Sequence, residues 1–166
     1  MSDAAMTNHP IGARGAIGDF NFLNGEWKIR NRRLKTRWTT APEWEEFEGA
    51  ATCWSVLGGM ASIEELRIPA HAFRGMGIRL LDLETRLWSD YWVSAANGRL
   101  MLPAAVGDFK DGAGVFTCED VDDGRPILAR GIWDRITPDG MRWWQSFSCD
   151  GGLTWEDNWF MEWTRA

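Results

Sequence analysis

Apolar and aromatic residues recur at every second position along this chain, in short runs separated by turn-forming pairs. Gly58-Gly59, Asn97-Gly98, Asp111-Gly112, Asp123-Gly124, Pro138-Asp139-Gly140 and Asp150-Gly151-Gly152 mark the breaks. Asp-Gly and Asn-Gly favour the positive φ values of tight hairpins. A period of two predicts strands over 26–38, 44–56, 61–68, 73–82, 86–95, 99–103, 113–120, 126–135, 141–149 and 157–165. No window carries an apolar stripe of helical period, and only a short turn is expected around Phe20 to Asn24. Strands spaced this closely imply an antiparallel meander rather than βαβ units. About ten strands in one open sheet would leave two long edges, and closure removes them. The expectation is an all-β, antiparallel up-and-down β-barrel of about 8–10 strands, preceded by a flexible N-terminal lead over 1–18, with one barrel domain over 19–166.

Composition sharpens this picture. Twelve of 166 residues are Trp, most of them inside the alternating runs. Trp is large and needs a partner for its N–H when buried, so such runs suit the inside of a barrel. Net charge is −6, from 24 acidic and 18 basic residues. That argues against a nucleic-acid partner or an anionic membrane surface, both of which call for a basic face. No apolar run approaches a bilayer span, and the first residues lack the apolar core of a signal peptide, so a cytoplasmic location is expected. Cys53, Cys118 and Cys149 are odd in number and widely spaced, which predicts reduced thiols.

The terminal strands carry a further signal. Trp27 and Ile29 share one face of the first, and Trp159, Met161, Trp163 and Arg165 share one face of the last. If these strands pair to close the barrel, Arg165 comes to lie near Trp27 and can stack on it. Gly25-Glu26-Trp27 with a late Arg resembles the closure of lipocalins and related calycins. The series Phe20-Asn21-Phe22-Leu23-Asn24-Gly25-Glu26-Trp27, Leu57-Gly58-Gly59, Trp88-Ser89-Asp90-Tyr91-Trp92 and Ser148-Cys149-Asp150-Gly151-Gly152-Leu153-Thr154-Trp155, before a last strand ending in Arg165, resembles the DUF1579-type family across most of the chain. That resemblance implies a lipocalin-like barrel and no particular reaction. Ser148 to Trp155 also matches the Asp-box, a hairpin motif of β-propeller sialidases, and is read here as a folding device.

Chemistry is sparsely signalled. His9 and His71 have no metal-spaced partner, so no metal is expected, and no cofactor. His71 is the only residue that could serve as a haem ligand, and an isolated loop His is ordinarily just solvated. No nucleophile elbow, phosphate loop or dinucleotide fingerprint occurs. Arg30, Arg32, Arg33 and Arg37 face Glu45, Glu46 and Glu48 across adjacent strands, which predicts surface ion pairs; alternatively Arg33 points inward and anchors an acidic ligand. Either Glu64 or Glu65 must point inward. Asp90 lies between Trp88 and Trp92 on one face, where burial would raise its pKa.

Three functions follow, in this order. The first is binding of a small, largely apolar, planar or acidic ligand, with Arg33, Trp88, Trp92, Arg130, Trp144 and Trp163 as contacts. The second is a barrel enzyme of isomerase, cyclase or lyase type, with Asp90 and Glu65 as catalytic groups. The third is a barrel packed solid. Outward Trp residues such as Trp38 and Trp54 would leave an apolar patch suited to a homodimer.

Overall fold

The computed structural model describes residues 15–166. Residues 1–14, and with them His9 and most of the expected lead, lie outside the described residues. Ten strands form one closed antiparallel barrel: β1 (Gly25–Leu34), β2 (Trp44–Val56), β3 (Ala61–Ile68), β4 (Phe73–Leu81), β5 (Trp88–Ser94), β6 (Ala105–Lys110), β7 (Ala113–Asp122), β8 (Arg125–Asp134), β9 (Gly140–Ser148) and β10 (Glu156–Arg165). Each strand pairs with its sequence neighbours, and β1 closes on β10. This is the up-and-down barrel that the turn spacing implied, and among the described residues helix is confined to short 3-10 turns. Among the described residues no helix is long and apolar enough to cross a membrane.

The turns form as their residues dictate. Asp111 and Gly112, and again Asp123 and Gly124, all have φ between 49° and 79°, the pair of positive φ angles that tight antiparallel hairpins require. Two expected boundaries move. β1 stops at Leu34, so Arg37 and Trp38 belong to a loop, with Trp38 at φ 59°. The strand expected at 99–103 is a loop held by one bridge between Val93 and Leu100; the strand is β6, which begins six residues on. Pro103 has no N–H for a ladder, and apolar Met101 and Leu102 border the barrel's mouth.

The core sits at one end. A 3-10 turn, Asn21–Leu23, lies under the barrel and plugs it with Phe20 and Leu23. Phe20 meets Trp88 and Phe109 edge-on, with centroids 4.9 and 5.0 Å away. Trp27, Trp88, Trp133 and Trp163 are all fully buried there. Two of their N–H groups bond to the plug: Trp27 Nε1 donates to the Leu23 carbonyl (2.6 Å) and Trp88 Nε1 to Asp19 (3.1 Å). The first and last strands place Trp27 opposite Arg165, whose guanidinium carbon lies 3.8 Å from the Trp27 ring centroid. Arg165 also donates to the carbonyls of Asn24 and Pro138, tying the plug to the β8–β9 end.

Candidate functional site

Above the plug the barrel is hollow. A cavity of about 390 Å³ runs from Trp133 and Trp163 toward the mouth, where Met101, Leu102 and Pro103 of the β5–β6 loop border it. Its walls are largely aromatic. Phe73 and Trp92 stack at 5.9 Å with planes 6° apart, and Trp143 meets Trp159 edge-on at 5.9 Å. The reading of a barrel packed solid therefore holds only for the plugged end.

Backbone choices make this interior possible. On the inner row of β4, Gly75 and Gly77 alternate with Phe73, Arg79 and Leu81. A Cβ on Gly75 would stand 2.1 Å from the Trp92 ring, and one on Gly77 would stand 3.0 Å from Arg79 Nη2. The two glycines are the seats on which an indole and a guanidinium lie flat.

Where the cavity meets the core, three charged groups from adjacent strands converge. Arg79 of β4 donates to Glu64 of β3 at 2.5 Å, and its Nε lies 3.4 Å from Asp90 Oδ1 of β5. Arg79 and Glu64 are 3% exposed. The Arg79 guanidinium also lies over the rings of Phe20 and Trp133, at 5.2 and 5.4 Å. Burial works against its charge, but the Asp90 and Glu64 carboxylates hold its pKa above the ordinary arginine value. Burial pushes Asp90 up to about 6, opposed by Arg79 and reinforced by Glu64. Cys118 of β7 also lines the cavity, and burial raises its thiol to about 11.

Asp90, Trp92 and Trp163 line the cavity as expected. Five other assignments need correction. Glu65 is on the outer face, near Arg67 and Arg74; Glu64 is the inward member, because it shares a row with buried Ser62, Leu66 and Ile68. Trp144 is also outside, stacked on Phe160 at 5.9 Å with its N–H donated to Asp134, while Trp143 and Gln145 point in. Arg130 borders the wall, but its guanidinium lies outside, bonded to Ser146 and 4.0 Å over the Trp155 ring. Arg33 does lie on the Trp27 face, yet near the rim, bonded through Nε and Nη2 to Glu45. Trp88 lies below the cavity, sealed against Phe20. In each strand the alternation is intact; what differs is which row faces in, or how deep the residue sits.

Arg79 was missed. Its row carries two glycines, whereas the opposite row, Met76, Ile78 and Leu80, reads as the core face. Met76 and Leu80 are in fact 37% and 41% exposed. The signal that could have found Arg79 is the Gly-x-Gly-x-Arg spacing, which leaves room inside for a large side chain.

A larger open hollow of about 700 Å³ lies beside the β3–β4 turn, lined by Arg67, His71 and Arg74 among others. These three lie near Glu26, Glu45 and Glu65, so the hollow offers no uncompensated group of theirs.

Compared with known proteins, the chain matches no family model and no curated protein. Among solved structures it is similar to the S-type phycobiliprotein lyase CPES from Guillardia theta, with TM-score 0.55 and 12% identity over 89% of this chain and 90% of that one. At that identity the likeness speaks for a shared calycin-like barrel.

Proposed function

We propose that this protein is a binding barrel of the DUF1579 type, holding one small, planar, largely apolar molecule in its cavity. The observation that carries the reading is the combination of size and lining: about 390 Å³ walled largely by aromatic and apolar side chains, with a few polar groups among them, Glu64, Arg79 and Asp90 at its inner end. That is the usual composition of a small-molecule site, in which apolar walls supply affinity and a few polar groups supply orientation. Without a guanidinium of Arg33 or Arg130 inside, the acid anchor envisaged from sequence is gone, and Asp90 takes its place as the polar group within reach of a ligand. Native mass spectrometry of freshly purified protein tests the reading, the expected result being a co-purifying mass in the range of a small organic molecule. If no ligand co-purifies and none in a broad panel of planar compounds binds, the barrel is not a container.

A second reading is supported by Asp90 alone. A carboxyl with its pKa raised to about 6, facing a cavity, is suited to proton transfer at neutral pH. That a barrel of this shape is a lyase keeps chemistry on this scaffold in view. Conversion of a bound ligand by the unmodified protein, and its loss in Asp90→Asn with binding retained, would favour the enzyme over the carrier.

A further inference from the structure

We propose that the ligand of this barrel is a planar organic cation, such as a protonated arylalkyl amine, whose charged nitrogen sits against Asp90 with its rings between the aromatic walls. The inference rests on the container reading above and adds the sign of the ligand's charge.

The argument is a charge balance over the inward-facing side chains. Glu45 is taken up by Arg33 near the rim (2.7 Å), Asp122 by Arg37 (2.5 Å), and Glu64 by Arg79 beneath the cavity (2.5 Å). Each guanidinium thus has a carboxylate of its own. Asp90 and Asp120 remain, both lining the cavity, with no cation left for either except the Arg79 that Glu64 already holds. The interior therefore has an excess of negative charge.

Accessibility decides which group a ligand meets. Arg79 Nη1 and the indole N–H groups of Trp133 and Trp163 lack acceptors, and Arg79 Nε has only the Asp90 carboxylate at 3.4 Å, which by itself would invite a carbonyl or an anion. All four atoms are sealed from solvent and cavity alike, whereas the Asp90 side chain is 20% exposed. What the cavity presents is a carboxylate among largely aromatic walls. Ring faces carry negative potential and attract cations, more strongly where water is excluded. A carboxylic acid ligand would have to bury its charge beside Asp90 with no free guanidinium to meet it.

The groups facing Asp90 are Arg79 and Glu64 on one side and Cys118 and Asp120 on the other, across the small side chain of Ala105. A cation binds the ionised form of Asp90. Its affinity should rise as pH increases through the Asp90 pKa of about 6.

Isothermal titration calorimetry on the full chain with three probes of one shape tests this: 2-naphthylmethylammonium, 2-naphthalenemethanol and 2-naphthoate. At about pH 7.5 the ammonium should bind about tenfold or more tighter than the alcohol, and the carboxylate weakest, with the ammonium's advantage shrinking at about pH 5 as Asp90 takes up a proton. Asp90→Asn should abolish the ammonium's advantage over the alcohol; the wild-type comparison decides the matter even if that variant does not fold. Carboxylate binding equal to or tighter than ammonium binding overturns the cation and leaves the container standing. Failure of all three probes removes both.

Discussion

At the residue scale, parity and depth decide what each side chain can do. Trp27 and Arg165 were placed together by sequence, and the register puts the guanidinium flat on the indole. Trp27→Ala should cost roughly 3–5 kcal/mol, the usual range for a buried Trp. A chemical-denaturation double-mutant cycle with Arg165→Ala should give a coupling of about 1 kcal/mol. Strict additivity would show that the stack contributes nothing. Asp90 makes a prediction of opposite sign. Its pKa is about 6 in the fold against 3.8 ordinarily, so the folded state holds the proton more tightly. Its burial cost is therefore absent at low pH and grows as pH rises from about 4 to about 6. Asp90→Asn should flatten the fall in stability across that window, measured as midpoints of thermal unfolding against pH. Curves that stay parallel for the two proteins would mean that Asp90 ionises normally.

At the element scale, the hairpins were legible because Asp-Gly pairs state their own φ angles, and the Asp-box behaves as a folding unit. Ser148 Oγ accepts from the Gly152 amide, Asp150 accepts from the amide and hydroxyl of Thr154, and Trp155 Nε1 donates to the Gly152 carbonyl. The bonds from Thr154, its hydroxyl foremost, and from the Ser148 hydroxyl hold Asp150 down to about 2. The β1–β2 loop was not legible, because Arg37 and Trp38 continue an alternating pattern past the true end of the strand. They latch instead onto the far side: Arg37 and Trp38 Nε1 both donate to Asp122, Trp38 N donates to Glu156, and Arg37 lies over Phe147 of the cavity wall. The Arg37 hydrogen bond holds Asp122 below the usual carboxylate range, so the latch persists at neutral pH and weakens only in acid. Asp122→Asn should raise amide hydrogen exchange across 35–43 while leaving the β9–β10 ladder protected. Equal protection in both proteins would show that the loop is held by other contacts.

At the scale of the whole molecule, closure leaves room for a cavity above a plug, and the cavity gives stability a handle on occupancy. A ligand that binds only the folded barrel raises the unfolding free energy by RT ln(1 + [L]/Kd), about 2.7 kcal/mol at a hundredfold excess over Kd. Filling the hollow from within should remove that gain. Gly131 lies on the inner wall, where a Cβ would stand 2.9 Å from Trp143 Nε1. Gly131→Leu should therefore abolish ligand-induced stabilisation in differential scanning calorimetry, while Trp54→Phe, on the outer surface, should not. Stabilisation surviving in Gly131→Leu would place the ligand outside the barrel.

The sequence by itself determined the all-β class, nearly every strand, the hairpin turns, the pairing of first strand with last, and that Asp90 shares a row with Trp88 and Trp92. These follow from local rules: a period of two, φ preferences, and the avoidance of open edges. Tertiary structure alone decided which row of each strand faces in. Trp143 and Trp144, or Glu64 and Glu65, are equivalent to any rule of alternation, and this barrel carries aromatic and apolar residues on both of its faces. Only the curvature of the closed sheet settles that Trp143 and Glu64 line or underlie a cavity while Trp144 and Glu65 meet solvent. It settles as well that Gly75 and Gly77 leave space for Arg79, a charge whose outer neighbours Met76 and Leu80 look, in one dimension, like the core.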